Sequence, residues 1–389
     1  MTDRLSTQLS FTGISTYNLI LAKSIPFFVS ILLIFYISFI ESIHLLQILS
    51  FFTIYNPLPS LRPLPRTKRA HACLRARCAS VQQTTMELPA AFIRYRPIVD
   101  DWEAFVATLR RPLPVCAWTN TLRTTPEQVK AALEAEGLKP EPLAWRSDAF
   151  RLPPDSQPGN RLAYVLGHYH VQEEVSLLPV PLLDPQPGER VLDLCAAPGG
   201  KTAQIAVRMR NRGTVVANDR NPLRLRQLSG TIERLGLLNV TTTLHDGADY
   251  PLESGPFDRV LIDVPCSCEG NFRKDQQVAD AFAGAPELCG LQTALLHRAV
   301  TLCRPGGRIV YATCTFAPEE NELVVDAVLR RWGEALRLLP ARLEGFRGAP
   351  GLTAWNGRRL HPSLELTLRV WPHLNDTGGF FVAVLERQA

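Results

Sequence analysis

The sequence has 389 residues, of which 46% are hydrophobic and 20% charged, and it carries 42 Lys and Arg against 37 Asp and Glu. This composition excludes a fully disordered chain, and the length predicts two domains plus a terminal segment. The net charge of +5 is unevenly distributed, because residues 1–85 hold eight basic and two acidic residues and residues 86–389 therefore carry a net −1. Overall charge does not indicate nucleic-acid binding, which has to be inferred from motifs.

Residues 1–85 also differ in composition, since they hold ten isoleucines against six in the rest of the chain. Residues 24–40 are uncharged and strongly apolar, close to the lower limit of ~17–25 residues for a bilayer span. Glu41 and Glu87 enclose six Lys or Arg and no acidic residue, which is typical of an organelle transit segment, although the apolar part is too long for one. Three interpretations stay open: a membrane anchor, a targeting segment, or a wrongly assigned start with Met86 as the initiator.

The nine cysteines form no CxxC pair and have no histidine at ligand spacing. This pattern indicates a reducing compartment, and we expect a cytoplasmic protein. If residues 1–85 are retained, we expect instead a protein that is located in an organelle or tethered to a membrane. Cys266 and Cys268 are one residue apart, but the sequence shows no further ligand for them, so no metal site is predicted.

From residue 190 onward, short apolar runs alternate with segments of helical periodicity. The predicted buried strands are residues 190–195, 213–218, 240–245, 259–264 and 308–313. The predicted helices are residues 202–210, 222–235, 288–303 and 318–331. This alternation predicts an α/β fold with a doubly wound, Rossmann-like parallel sheet that binds its ligand at the carboxyl ends of the strands. Residues 366–371 and 379–385 are predicted to add an antiparallel C-terminal hairpin at the sheet edge.

The first predicted strand leads into a helix through a loop of small residues. Small side chains let backbone N–H groups approach a ligand closely, so this loop is predicted to bind a cofactor. It lacks the first glycine of a GxxxxGK(S/T) phosphate loop and does not match GxGxxG, which argues against a nucleoside triphosphate and a dinucleotide. The candidate cofactor-binding residues of the loop are Cys195, Ala196, Ala197, Pro198, Gly199, Gly200 and Lys201.

Three aspartates lie at the ends of successive predicted strands. Asp219 follows the second strand, Asp246 follows the third and Asp263 lies within the fourth. A carboxylate at the tip of the second strand is well placed to accept hydrogen bonds from both hydroxyls of a ribose. One such aspartate is commonly a helix cap or a turn residue, whereas three in this arrangement favour an adenosine cofactor. Because no phosphate-binding signature is present, S-adenosylmethionine fits better than NAD.

Short motifs occur from residue 120 to residue 383. They are Asn120-Thr-Leu-Arg123, Gln172-Glu-Glu-Val-Ser176, CAAPGGKT at 195–202, ANDRN at 217–221, DVPCS at 263–267, YATCT at 311–315 followed by PEEN at 318–321, and GGFFVA at 378–383. Their joint order and spacing resemble the Nop/Sun (RsmB/Nop-type) family of RNA cytosine-5 methyltransferases. The resemblance implies a small α+β RNA-binding domain over residues 86–180 and an S-adenosylmethionine-dependent domain over residues 181–389. It implies RNA, either rRNA or tRNA, as the partner. We expect a monomer in which residues 86–389 function without a membrane.

The resemblance also assigns roles to three side chains. Carbon 5 of cytosine is not nucleophilic until a group adds to carbon 6, and a thiolate is the protein nucleophile best suited to that addition. By resemblance, Cys314 attacks carbon 6, Cys266 assists release as the carbon-5 proton is eliminated, and Asp263 hydrogen-bonds to or protonates ring nitrogen 3. Lys201 is a candidate for lowering a cysteine pKa, with a solvated lysine at a helix start as the alternative.

Two other functions stay open from the sequence. A DNA cytosine-5 methyltransferase would use the Pro-Cys cysteine as its nucleophile, and a second Thr-Cys cysteine is not expected there. A non-catalytic RNA-binding scaffold would not need both cysteines and all three aspartates. The chain departs from the family at Cys268, where glycine is usual, and this puts a third thiol near the site. Residues 269–274 are a candidate phosphate-binding loop, and the near-neutral body predicts a shallow salt dependence of RNA binding.

Overall fold

The structure, a computed structural model, describes residues 88–276, 278 and 285–389, which belong to one compact unit. The three interpretations of residues 1–85 concern a segment outside the described residues. None of the described helices has both the length and the apolarity that crossing a membrane requires.

The first part of the described chain is built on a four-stranded antiparallel sheet. Its strands are β1 (Val115–Thr119), β2 (Glu141–Leu143), β3 (Arg146–Leu152) and β4 (Tyr169–Val171), in the spatial order β2-β3-β1-β4. The helices here are α1 (Trp102–Leu109), α2 (Pro126–Ala135) and α3 (Leu162–Val165). α2 begins at a capping box in which the Thr125 side chain and the Gln128 side chain each accept a hydrogen bond from the other residue's backbone N–H. The helix buries Val129 and Leu133 in the same core as Phe150 of β3.

The second part is a nine-stranded mixed sheet covered by helices. Its strands are β5 (Arg190–Asp193), β6 (Thr214–Asn218), β7 (Val240–Thr243), β8 (Phe257–Asp263), β9 (Cys303–Thr313), β10 (Leu336–Leu339), β11 (Ala349–Pro350), β14 (Leu368–Val370) and β15 (Phe380–Arg387), and β12 (Ala354–Trp355) pairs separately with β13 (Arg358–Arg359). The helices are α4 (Pro179–Leu183), α5 (Gly200–Arg208), α6 (Pro222–Leu235), α7 (Pro286–Leu302), α8 (Glu322–Trp332) and α9 (Pro372–Asn375). The five strands and four helices predicted from periodicity are confirmed, with boundaries that differ by no more than five residues.

The sheet order is β11-β14-β15-β9-β8-β5-β6-β7, with β10 beside β15. β5 to β9 run parallel and carry the site, because their carboxyl ends meet at one edge. Both faces of β5 are buried, since Val191 and Leu192 belong to the two different cores on either side, whereas the edge strand β7 is partly exposed. Strands buried on both faces have nearly continuous apolar sequences, which is why the apolar runs located the central strands.

The C-terminal hairpin is present, and its position differs from the prediction. β14 and β15 pair antiparallel with Leu368 opposite Val382, but β15 lies inside the sheet between β14 and β9. The two-residue strand β11 continues the sheet beyond β14. Phe381 and Leu385 of β15 are fully buried, which is the environment of an interior strand.

The two upstream motifs lie where the small antiparallel sheet packs against the large one. The buried Asn120 side-chain amide donates to the Leu235 carbonyl at the end of α6. The Gln172 carbonyl oxygen accepts hydrogen bonds from Trp118 of β1 and from Gln204 of α5. These side chains therefore hold the two sheets in a defined relative position, and their hydrogen-bonding capacity is used inside the protein.

Candidate active site

A cavity of about 360 Å³ opens at the carboxyl ends of the parallel strands. The predicted residues Cys195, Asp219, Asp246, Asp263, Cys266 and Cys314 all line it. Its other lining residues are Leu194, Asn218, Arg220, Arg224, Gly247, Val264, Pro265, Cys268, Leu291 and Leu295. The fold therefore brings the strand-end aspartates and both predicted cysteines to one place, with apolar walls from α7 on the opposite side.

The predicted cofactor loop contributes less lining than expected. Among its members only Cys195 lines the cavity, and Ala196, Ala197, Pro198, Gly199, Gly200 and Lys201 do not. Gly199 has φ +107 and precedes the first turn of α5, a conformation that favours glycine. A Cβ at Gly200 would lie 3.0 Å from the Gln172 side chain, so the start of α5 is covered by the small domain.

Asp219 is buried and already well supplied with donors. Its carboxylate accepts hydrogen bonds from the backbone N–H groups of Ala197 at 3.3 Å and Asn221 at 2.9 Å. The Arg224 guanidinium lies 3.2 Å from the same carboxylate. A carboxylate has about four lone-pair positions, so one further hydrogen bond is available while Arg224 stays in place. Accepting both ribose hydroxyls requires the half-exposed Arg224 side chain to move.

Asn218 is a site residue that the sequence reasoning did not single out. Its buried amide group donates to the carbonyls of Leu194 at 3.0 Å and His245 at 3.1 Å. Its oxygen accepts from the Thr243 hydroxyl and the His245 N–H, both at 3.0 Å. Asn218 thus ties together the chain after β5 and the chain after β7, and it positions Asp246 one residue further on. Its position in the ANDRN motif, directly before Asp219, is the feature of the sequence that could have identified it.

Lys201 and Asp263 form an ion pair at the floor of the site, with Nζ 2.7 Å from Oδ2. Burial by itself lowers the pKa of Lys201, but the charge and the hydrogen bond of Asp263 raise it above its usual range. The side chain of Lys201 is 10% exposed, so the solvated lysine considered as an alternative is wrong. The buried ammonium holds the Asp263 carboxylate in place.

Asp193, the last residue of β5, is buried directly below the site. Its Oδ2 accepts a hydrogen bond from the Thr202 hydroxyl at 2.7 Å, whereas its Oδ1 has no partner. Burial raises the pKa of this carboxyl to about 7, partly offset by the Thr202 hydrogen bond. Asp193 was not predicted from the sequence, where it is one polar residue inside an apolar strand.

Three thiols meet at the mouth of the cavity. The Cys266 and Cys314 sulfurs are 3.3 Å apart, and the Cys266 and Cys268 sulfurs are 3.9 Å apart. The Asn271 side-chain amide donates to the Cys314 sulfur at 3.4 Å. The sequence by itself shows no further ligand for Cys266 and Cys268, and the fold brings the Cys314 sulfur from the end of β9 to within 4.8 Å of both.

The three thiols have linked protonation. Hydrogen bonds with Cys266 and Cys314 lower the pKa of the Cys268 thiol. The hydrogen bonds with Cys268 and Cys314, together with burial, raise the pKa of Cys266. The Cys266 hydrogen bond lowers the pKa of Cys314, but its contact with Cys268 and its burial raise it above the usual range overall. The pKa of each thiol therefore depends on the hydrogen bonds among all three sulfurs.

The two cysteine-bearing loops are fastened to each other by buried hydrogen bonds. The Ser267 and Thr315 hydroxyls are 2.7 Å apart, and the Gly270 N–H donates to the Cys314 carbonyl at 2.9 Å. Glu269 accepts from Tyr95 at 2.7 Å and from Thr315 at 2.9 Å. These bonds set the separation of the Cys266 and Cys314 sulfurs.

Part of the predicted phosphate-binding loop is a structural brace instead. The Arg273 side chain is fully buried and donates to the carbonyls of Arg111, Pro112 and Thr377 and to the Asp376 carboxylate. Its donors are thus satisfied within the protein, which contradicts a phosphate-binding role for this residue. Lys274 is exposed.

Together, the doubly wound sheet and the strand-end site define a Rossmann-like methyltransferase domain joined to a small antiparallel domain. Residues 180–386 match the family model described as 16S rRNA methyltransferase RsmB/F, and residues 88–174 match the N-terminal domain of 16S rRNA methyltransferase RsmF. The chain belongs to the RsmB/F methyltransferase family.

Relatives in this family come from all three domains of life. The chain is 40% identical to the human 28S rRNA (cytosine(4447)-C(5))-methyltransferase over 71% of its own length and 34% of the relative. It is 36% identical to the Pyrococcus abyssi tRNA (cytosine(49)-C(5))-methyltransferase over 74% of its own length and 93% of the relative. It is 35% identical to the ribosomal RNA small subunit methyltransferase F of Klebsiella pneumoniae over 79% and 65% of the two chains. The chain spans about a third of the length of the human relative.

Solved structures agree with the fold. A methyltransferase homolog protein from Pyrococcus horikoshii superposes with a TM-score of 0.66 at 30% identity, covering 77% of this chain and 100% of that one. NSun6 from Pyrococcus horikoshii superposes with a TM-score of 0.63 at 22% identity, covering 74% of this chain and 94% of that one.

Proposed function

We propose that this chain is an RNA cytosine-5 methyltransferase that takes the methyl group from S-adenosylmethionine and acts on rRNA or tRNA. The observation that carries the proposal is the pair of sulfurs of Cys266 and Cys314, 3.3 Å apart, at a cavity that also holds Asp263. Family relatives named for cytosine-C(5) methylation of rRNA and of tRNA support the reaction class. We further propose that the protein acts as a monomer in the reducing cytoplasm, where these thiols stay free.

The residues around the cavity fit S-adenosylmethionine. Asp219 has one free acceptor position for a ribose hydroxyl, and Asp246 offers an exposed carboxylate at the rim. Leu291 and Leu295 supply an apolar wall for an adenine ring. When bound, S-adenosylmethionine would supply an electrophilic methyl group.

The thiol cluster supports covalent catalysis on a pyrimidine. We assign the addition to Cys314, which loses its thiol proton to solvent and attacks carbon 6 of cytosine as a thiolate. The electron pair of the 5,6-double bond then makes carbon 5 nucleophilic. Asp263 is assigned to the edge of the ring that carries nitrogen 3, and the ammonium of its partner Lys201 offsets the negative charge that develops there on addition.

Release requires loss of the carbon-5 proton. After methylation the carbon-5 proton is lost to solvent, the 5,6-double bond reforms and the bond from carbon 6 to Cys314 breaks, and we assign to Cys266 the role of assisting this release. The short distance between the two sulfurs lets both thiols reach adjacent carbons of one ring. This short distance supports the proposal that attack and release are divided between two side chains.

The deciding experiment is incubation of the full chain with methyl-labelled S-adenosylmethionine and either rRNA or tRNA transcripts, followed by mapping of 5-methylcytosine. Label in 5-methylcytosine at defined positions is expected. Absence of label in every RNA would favour the non-catalytic scaffold, and label in DNA alone would favour the DNA enzyme.

A further inference from the structure

The thiol cluster has a geometry that suits a metal ion as well as a base. The sulfurs of Cys266, Cys268 and Cys314 all lie within 4.8 Å of one another. Three thiolates at ~2.3 Å from one zinc ion, at tetrahedral angles, are about 3.8 Å apart. The observed separations of 3.3 Å and 3.9 Å lie on either side of that value. The third separation, from Cys268 to Cys314, is at most 4.8 Å, so all three sulfurs lie near the spacing that one zinc ion requires.

The backbone at Cys268 shows that the third thiol is held toward this cluster. Cys268 has φ +62, in the left-handed region that favours glycine. Its sulfur nevertheless lies within hydrogen-bonding distance of the Cys266 carbonyl, at 3.3 Å, which folds the side chain back over the neighbouring thiol. The result is a three-sulfur face in place of a two-sulfur pair.

The cluster leaves one coordination position free. Among the residues that the structure describes, no histidine or carboxylate joins the group of three sulfurs. All three cysteines line the cavity, so the fourth position of a tetrahedral ion would face the space where substrate enters. Three protein ligands and one open position are the arrangement found when a zinc ion exchanges its fourth ligand with solvent or substrate.

We propose that Cys266, Cys268 and Cys314 form a three-thiolate binding site for one zinc ion, open to the cavity on its fourth side. Binding releases the thiol protons and leaves three zinc–sulfur bonds, with water as the fourth ligand. Resting on the proposed function, we further infer that the zinc-bound protein is inactive, because neither Cys314 nor Cys266 is free to react. Zinc and cytosine then compete for the same two sulfurs.

Metal binding can be tested without any methyl transfer. The full chain, reduced with a thiol-free reductant and stripped of metal by a chelator, is titrated with Cd²⁺, whose thiolate complexes absorb ultraviolet light in proportion to the number of thiolates. Saturation at one equivalent with the band of three thiolates is expected, and Zn²⁺ should displace Cd²⁺ and abolish the band. Saturation without a thiolate band would overturn the proposal.

Variants identify the third ligand. Cys268→Gly suits the left-handed backbone, so it should fold, and it should lose about a third of the band and bind Cd²⁺ about tenfold or more weakly. Cys268→Ser, which keeps the side-chain size, should behave in the same way. Cys289→Ser removes a partly buried thiol of α7 outside the cluster and should match the wild type. Equal Cd²⁺ affinity of wild type and Cys268→Gly would overturn the three-thiolate site.

A separate measurement tests inhibition. The ratio of methyl transfer with and without Zn²⁺ should fall at least tenfold in the wild type, recover on addition of chelator, and change little in Cys268→Gly. If the metal-free protein transfers no methyl group, the proposed function is contradicted. The metal site is not, because the Cd²⁺ titration measures it independently. A Zn²⁺ effect of equal size in both proteins would contradict the inferred inhibition.

Discussion

The sulfur of Cys314, at the end of one central strand, lies 3.3 Å from the sulfur of Cys266, 48 residues earlier in the chain. The pair is created by buried hydrogen bonds between two loops, among them Ser267 to Thr315 and Gly270 to the Cys314 carbonyl. Because both thiols reach one cavity, they can act on adjacent carbons of a single base. The predictions below test the consequences of that arrangement.

The two cysteines should fail in different ways when replaced. Cys314→Ala removes the nucleophile and should lower methyl transfer by more than about 10³-fold, with no covalent adduct to RNA. Cys266→Ala should also block turnover, but it should accumulate an RNA adduct that survives a denaturing gel, because attack still occurs. Cys289→Ser is the matched control and should leave both assays unchanged. An RNA adduct with Cys314→Ala and none with Cys266→Ala would contradict the proposed roles.

Lys201 and Asp263 should act as one unit. Lys201→Met and Asp263→Asn each remove one partner of the ion pair, and each should lower kcat/KM by about 10²-fold. The double variant should be no worse than the more damaged single variant, because the second change removes an interaction that is already lost. Steady-state kinetics of the wild type, the two single variants and the double variant provide this double-mutant cycle. Losses that multiply would show that the two side chains act independently.

Asp193 should make the folded state less stable as the pH rises. Burial raises the pKa of its carboxyl from 3.8 to about 7, so between those values the unfolded chain has lost a proton that the folded chain still holds. The contribution of this group to stability is therefore fully present below about pH 4 and is lost as the pH rises toward 7.

Asp193→Asn should abolish that dependence while its oxygen can still accept from Thr202. The free energy of unfolding of the variant, relative to wild type, should increase by about 2 kcal/mol between pH 5 and pH 8. Denaturant titrations at the two pH values measure it. A difference that does not change with pH would contradict a buried carboxyl at this position.

Gly270 should tolerate no side chain. A Cβ there would lie 2.2 Å from the Gly379 carbonyl oxygen and 2.9 Å from the Cys314 carbonyl oxygen, so Gly270→Ala must move the Cys314 loop. Loss of more than about 2 kcal/mol of stability and of most activity is expected.

Gly230→Ala provides the matched control for that substitution. Gly230 lies within α6 with nothing within 4 Å of its Cβ position, so alanine should stabilise the helix by about 0.5–1 kcal/mol. Thermal unfolding and methyl transfer of both variants give the comparison. Full activity of Gly270→Ala would show that the two loops need not be in close contact.

The apolar runs of the sequence were sufficient to locate the central parallel strands, because a strand such as β5 is buried on both faces and is therefore almost entirely apolar. α6 was located with both of its ends, since Asn221 caps the first turn and Gly236 ends the helix with φ +69. The position of β15 inside the sheet was not predicted, because its pairing with β9 is set by long-range packing and not by local spacing.

By itself the sequence determined the alternating α/β pattern, the aspartates at strand ends and, through its motifs, the family, because each of these is encoded in local spacing. The tertiary structure decided which polar groups remain free to act. The Arg273 guanidinium donates its hydrogen bonds to carbonyls and a carboxylate of distant segments, so it is not available to bind phosphate. The same kind of long-range packing brings Cys314 beside Cys266 and Cys268, and no spacing along the chain encodes a distance between sulfurs that loop-to-loop hydrogen bonds set.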